Sequence, residues 1–216
     1  MIDRPWLASE PLHELIVNIH KIGQLGWCRA TSGNFSMRLS RNELLITASG
    51  HDKGSITAEH FLRVDCQGLV LDSGAPEPSA EMALHTQLYN RSPSTNVVLH
   101  THSVQSTAFG KVFPDRIVCL HDYEVLKAFP GVDSHDVDVF IPIFENTQDM
   151  GSLSLEVERY LQAHPHTPGY LIRGHGLYTW GESAKDAMRH LEALEYLIEC
   201  EVALFGLTGQ WSGESR

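Results

Sequence analysis

Asn96-Val97-Val98-Leu99-His100-Thr101-His102 is an apolar run closed by two histidines two residues apart. A short aliphatic, β-branched run reads as a buried strand. Alternate residues of a strand point to one face, so both imidazoles reach one point in space. Two neutral imidazoles on one point suit a zinc-class ion. A third histidine, His175, closes another apolar run, Gly169-Tyr170-Leu171-Ile172-Arg173-Gly174, and is followed by Gly176. Three histidines from two strand ends leave a coordination position open, the pattern of a catalytic rather than a structural metal. Among 13 histidines a close pair alone carries little weight; the glycine-flanked third one turns it into a candidate site.

Outward from this strand, helical and strand periods alternate irregularly. Leu12, Leu15, Ile16, Ile19 and Ile22 recur at helical spacing between Ser9 and Leu25, with Ser9 as cap and Pro11 in the first turn. Strands are expected at 35–39, 44–47, 61–65, 69–71, 117–120, 137–141, 170–173 and 176–180, with a turn at Cys66-Gln67-Gly68. Further helices are expected at 82–90, 103–110 and 148–163, the last with Thr147 as its cap, and a long one from Ser183 to about Leu204. No repeat or linker interrupts the chain, so residues 1–216 read as one α/β domain, with a mainly antiparallel or mixed sheet between helix layers. Residues from Gly209 onward read as a loose tail.

The net charge is −11, from 16 basic and 27 acidic residues. That balance disfavours a nucleic-acid groove or an anionic membrane surface, yet leaves room for a small anion held by backbone N–H groups and a cation or two. Cys28, Cys66, Cys119 and Cys200 are scattered, as free thiols of a reducing cytosol are. The N-terminus lacks a basic segment followed by an apolar one, and no stretch is long enough for a membrane span. The expectation is a cytoplasmic protein.

Several other segments carry chemistry. Thr31-Ser32-Gly33-Asn34-Phe35-Ser36 enters a strand, and Ile46-Thr47-Ala48-Ser49-Gly50-His51-Asp52-Lys53-Gly54 leaves one. Both offer glycines for close backbone approach and hydroxyl donors, and the second offers a lysine, as an oxyanion pocket needs; both also suit plain tight turns. In Ser79-Ala80-Glu81, Ser79 reads as a helix cap and Glu81 as a first-turn carboxylate favoured by the helix dipole. The alternative for Glu81 is an acid/base that reaches the metal site, and His85, one turn on, is either packed or a fourth ligand. His121-Asp122-Tyr123-Glu124 gathers titratable groups at the start of a short helix, where Glu124 again suits either a helix start or a site. Glu145 is balanced in the same way by the capping role of Asn146 and Thr147.

Taken in order, Ser32-Gly33-Asn34-Phe35-Ser36, Ile46-Thr47-Ala48-Ser49-Gly50, Pro78-Ser79-Ala80-Glu81, His100-Thr101-His102 and Gly174-His175-Gly176 resemble the class II aldolase/adducin family of zinc-dependent sugar-phosphate enzymes. Each motif is weak alone, but five in order over residues 32–176 are specific. Pro142-Ile143-Phe144-Glu145-Asn146-Thr147 and the segment from Arg173 to Gly181 resemble the family's dehydratase branch rather than its aldolases.

The resemblance implies a three-layer αβα fold around a mainly antiparallel sheet, and a homotetramer with sites between neighbouring subunits. It implies one Zn2+ per subunit on His100, His102 and His175, and a small phosphorylated ketose as substrate. The phosphate would meet Gly33, Asn34, Ser49, Gly50 and Ser79, with Lys53 a further candidate; a second serine after Ser79 is replaced here by Ala80. The aldolases' acid/base glutamate aligns with Glu81. In some dehydratases that position is not a carboxylate, and the catalytic glutamate aligns with Glu124. The dehydratase-like segments put Glu124 first, with Glu81 second or as a resting-state metal ligand. A sugar-phosphate aldolase or epimerase is the alternative enzyme, and a non-catalytic adducin-like interaction domain the alternative of another class.

Overall fold

The computed structural model describes residues 5–72 and 78–211. Eight strands form one sheet in the order β3-β2-β1-β4-β8-β7-β6-β5, where β1 is Asn34–Arg38, β2 Glu43–Thr47, β3 Phe61–Asp65, β4 Val97–Thr101, β5 Ile117–Leu120, β6 Val139–Phe144, β7 Gly169–Ile172 and β8 Gly176–Gly181. Every neighbouring pair is antiparallel except β6 and β7. The helices are α1 (Glu10–Gln24), α2 (Met82–Arg91), α3 (Val104–Val112), α4 (Met150–Ala163) and α5 (Ala184–Thr208).

Alternation along the strands sorts the apolar side chains into two cores, one on each face of the sheet. Leu45, Val97, Leu99, Leu171 and Leu177 join Leu12, Leu15 and Ile19 of α1, Phe109 of α3, and Leu191 and Leu194 of α5. Their strand neighbours Leu44, Ile46, Val98, Tyr170 and Tyr178 join Leu84 and Leu88 of α2 and Val157 and Leu161 of α4. The fold is therefore the expected three-layer αβα sandwich. β4 lies in the middle with all five residues buried, so His100 faces the α2/α4 layer and Thr101 faces the α5 layer.

Local signals set the ends of the two longer C-terminal helices, whereas Ser9, expected to cap α1, makes no side-chain cap bond. Ser183 caps α5 by accepting a hydrogen bond from the Asp186 N–H, and Gly209 ends it in the left-handed conformation (φ +71°). The cap of α4 is Asp149, which accepts from the Ser152 N–H, rather than Thr147; the carboxylate lies nearer the first turn. The stretch expected as a strand at 69–71 contributes only an isolated bridge, Val64 to Val70. The expected loose tail begins instead with an anchor. Trp211 is buried against Phe205 (ring centroids 4.3 Å apart), Phe109 and Phe113, apolar area that the sequence alone does not link to it. Residues 212–216, and Pro76 and Glu77 ahead of Ser79, lie outside the described residues.

Candidate metal centre and anion pocket

His100 is the fourth residue of β4, and His102 follows just past its end. His175 comes to them because β8 pairs with β4, placing the β7–β8 turn at the end of β4. Gly174 turns with a positive φ (+64°), and Gly176 permits the approach: a Cβ there would lie 2.0 Å from the Thr101 carbonyl oxygen. Thr107 Oγ1 donates to the His175 carbonyl (3.0 Å) and ties the turn to α3.

The three Nε2 atoms converge. His102 Nε2 is 2.8 Å and His175 Nε2 3.3 Å from His100 Nε2, and one nitrogen from each ring lies within 4.8 Å of the other two. Nδ1–H of His100 donates to the Leu177 carbonyl (3.0 Å), leaving its Nε2 as the lone-pair nitrogen. The His100 ring also stacks on Tyr178 at 3.9 Å. Burial lowers the pKa of His100 well below the ordinary range and that of His102 to about 4, with neighbouring imidazoles adding to both shifts. Ligands 2.0–2.1 Å from a tetrahedral zinc sit about 3.3 Å apart. The ligand type, the His100 tautomer and the 3.3 Å His100–His175 separation fit such an ion, while the 2.8 Å between His100 and His102 is the length of an N–H···N hydrogen bond that an ion would replace.

Glu81 closes the centre. It stands at the N-cap of α2, but its side chain makes no cap bond. Oε1 lies 2.8 Å from His175 Nε2 and Oε2 3.2 Å from His100 Nε2. Oε2 also accepts from Tyr178 Oη (2.9 Å) and Asn34 Nδ2 (2.6 Å). Burial opposes its charge, yet His100, His175 and the Asn34 amide together hold the carboxyl below its usual range. The helix-dipole role does not describe where this side chain goes. His85 is fully buried with both nitrogens engaged: Nε2 meets Asn34 Oδ1, and Nδ1 accepts from Ser36 Oγ (2.6 Å), which accepts from Tyr89 Oη (2.8 Å). It orients Asn34, and so Glu81, instead of joining the trio. Burial lowers its pKa to about 4.

Beside the trio lies a cavity of about 240 Å³ whose walls include Gly33, Asn34, Ser49, Ser79, Glu81 and His102. Ser79 Oγ accepts from Asn34 Nδ2 and from the Glu81 N–H. A second cavity, about 430 Å³, includes Arg29, Ser32, His102, Gln148 and His175, and Ser32 also lines the first. The Ser32 hydroxyl is buried and has no hydrogen-bond partner among the described residues, where both cavities meet the trio. Nothing in the sequence distinguishes it, because an isolated serine in a glycine turn carries no signal of its own. The loop behind it holds Ala30 and Thr31 at positive φ (52° and 63°), backbone strain of the kind concentrated at functional sites.

Two expected anion ligands sit outside these walls. Gly50 supplies the left-handed turn after Ser49 (φ +82°) and borders open space. Lys53 is buried; its ammonium donates to the Thr31 (2.9 Å) and His51 (2.8 Å) carbonyls, tying the two glycine-bearing loops together. Glu124 is also apart from the trio. It begins a 3-10 helix, Glu124–Ala128, with its carboxylate 70% exposed and paired with Lys127 (2.6 Å) and His135 (3.6 Å). Lys127 and His135 hold its pKa below the usual value. Glu145 pairs with Arg173 and Arg116 on the surface. A cavity of about 660 Å³ lies at the opposite end of the sheet, near Thr95, Pro168 and Trp180, and contains none of the candidate residues.

The profile described as "Class II Aldolase and Adducin N-terminal domain" matches residues 13–202. Methylthioribulose-1-phosphate dehydratase of Pseudomonas aeruginosa is 50% identical over 184 residues, 85% of this chain and 89% of the relative. The enzyme of that name from Yersinia enterocolitica is 48% identical over 191 residues, 88% of this chain and 90% of the relative. Among solved structures, L-fuculose-1-phosphate aldolase from Thermus thermophilus has a TM-score of 0.73 at 21% identity, over 92% of this chain and 97% of that one. Sugar-phosphate aldolase from Thermotoga maritima has a TM-score of 0.65 at 19% identity, over 92% and 96%. At those identities the structures speak for the fold alone, whereas the profile and the half-identical relatives speak for descent: the chain belongs to the class II aldolase and adducin family.

Proposed function

We propose that the chain is a zinc-dependent methylthioribulose-1-phosphate dehydratase of methionine salvage, converting 5-methylthioribulose 1-phosphate to 5-methylthio-2,3-dioxopentyl 1-phosphate. The observation that carries this reading is the half-identity to dehydratases of that name over most of both chains. The reading extends to residues 1–216 as one domain, working in the cytoplasm as a homotetramer. No helix among the described residues is long and apolar enough to cross a membrane, which is compatible with it.

His100, His102 and His175 would hold the zinc ion, which supplies a Lewis acid for the ketose carbonyl and the negative charge that develops on its oxygen. The Ser49 and Ser79 hydroxyls, with backbone at Gly33 and the Asn34 amide, surround a cavity suited to the phosphate. Gly50 shapes that loop, and Lys53 supports it from behind while adding buried positive charge. A carboxylate removes the C3 proton, and the C4 hydroxyl leaves as water after taking up a proton; the enol so formed tautomerises to the 2,3-diketone.

Two carboxylates are available for these transfers. Glu81 stands beside the trio in its own chain. Glu124, exposed and apart, serves the centre of a neighbouring subunit, as sites built between subunits require, and is the principal acid/base. Incubation with 5-methylthioribulose 1-phosphate tests the reading: diketone formation supports it, and release of an aldehyde by C3–C4 cleavage replaces it with the aldolase alternative. The intact trio speaks against a purely adducin-like interaction role.

A further inference from the structure

The buried face of α5 holds one carboxylate that the proposed chemistry does not use. Glu195 is 4% exposed, set among Leu191, Leu194 and Ile198. A carboxylate in such a place is costly unless its lone pairs are satisfied, and among the described residues no cation pairs with it. Three hydroxyls satisfy it instead. Oε1 accepts from Thr101 Oγ1 (3.2 Å), and Oε2 from Ser103 Oγ (2.6 Å) and Ser106 Oγ (2.7 Å).

All three donors come from one short segment, and two of them flank His102. Thr101 points away from the face that carries His100 and His102, as strand alternation requires, and so reaches α5. Ser103 caps α3 by accepting from the Ser106 N–H (3.0 Å) while its own hydroxyl donates to Glu195. One carboxylate thereby fixes the last residue of β4, the cap of α3 and the first turn of α3. Between them only His102 remains, held on one side by its N–H to the Trp27 carbonyl (2.7 Å) and in sequence by the two residues that Glu195 fixes.

We infer that Glu195 is a positioning residue for the metal centre: from the far side of the sheet it clamps the β4–α3 junction and aims His102 at the point where His100 and His175 converge. The inference rests on the trio being a metal site. Groups behind the ligands hold them in coordinating geometry, and their loss typically weakens metal binding about 10–100-fold.

The test is zinc affinity by competition with a chromophoric chelator, together with the visible spectrum of the cobalt(II)-substituted protein. Glu195→Gln keeps the size and one acceptor but loses the charge that orders three donors. It is expected to stay folded, to bind zinc about tenfold or more weakly, and to show altered cobalt bands, with Glu195→Asp intermediate. Leu191→Ala on the same helix serves as the control for plain destabilisation, with a lower melting temperature and unchanged zinc affinity. Wild-type affinity and an unchanged cobalt spectrum in folded Glu195→Gln would overturn the inference. If that variant does not fold, Ser106→Ala removes one donor without touching the ligand strand: weaker zinc supports the clamp, and wild-type affinity overturns it. A wild-type protein that binds no zinc would bring down the metal reading itself, and the clamp with it.

Discussion

Residues 78–85 and 121–138 each present a glutamate at the start of a short helix, with histidines nearby, yet they use them in opposite ways. Glu81 is buried, receives hydrogen bonds from Asn34 and Tyr178, and touches two histidines of the trio. Glu124 is exposed and pairs with Lys127 and His135 across water-accessible contacts. Sequence context barely separates them, since both suit a helix start. The difference is set by tertiary structure: the α2 cap lies over the β4 end of the sheet, whereas Glu124 follows the edge strand β5 and looks outward. A carboxylate fixed beside the histidine trio is suited to hold geometry; one exposed at the surface, with only side-chain ion pairs to break, is suited to the role proposed for it in a neighbouring subunit.

The largest effect comes from removing the feature the buried region is built around. His175→Ala is expected to abolish stoichiometric zinc and cut turnover by about 10³-fold, the scale of several kcal/mol of charge stabilisation supplied by a metal. Metal analysis on the purified variant checks this, and full zinc content would break the comparison at its root.

Next, Glu124→Gln is expected to keep zinc and an unchanged melting temperature while losing about 10²–10³-fold in turnover, the range of a general acid or base. Glu81→Gln is expected to lose both zinc affinity and turnover. Mixing sharpens the contrast: oligomers assembled from Glu124→Gln and His175→Ala chains should regain activity, because one chain supplies the trio and the other the carboxylate. Full activity of Glu124→Gln beside a dead Glu81→Gln would move the proton transfer to Glu81.

A smaller effect belongs to the buried region alone. His85 is held neutral, with a pKa of about 4, against about 6.5 when unfolded. Between those values the unfolded chain binds the proton and the folded one does not, so stability falls as pH drops from about 6.5 to 4, by at most about 3 kcal/mol. Denaturation of His85→Gln across that window should show a lower plateau at pH 7 and a flatter decline. An equally steep decline would place the titration elsewhere.

How much of this was legible in the chain depended on the range of the interactions. The sandwich followed from local periods: Leu12, Leu15, Ile19 and Ile22 on a helix, alternating Leu44, Leu45 and Ile46 on a strand. The trio was legible because an i, i+2 pair on a strand shares a face, whatever its neighbours do. Glu81 was ambiguous because capping and coordination start from the same residue and differ only in where the side chain turns. Lys53 looked like an anion ligand, but its ammonium is taken by the carbonyls of Thr31 and His51, a contact no local pattern signals. Glu195 was hidden among the charges of α5, where Glu192 pairs with Lys21 on the surface, and Trp211 looked like part of a tail. Each of these depends on a partner far away along the chain.

The proposed dehydration depends on a metal held by His100, His102 and His175. Its most direct measurement is diketone formation from 5-methylthioribulose 1-phosphate by the purified protein, before and after chelation and again after zinc is restored. Activity is expected to be lost with the metal and to return with it. Diketone formation at an unchanged rate in the metal-free protein would contradict it.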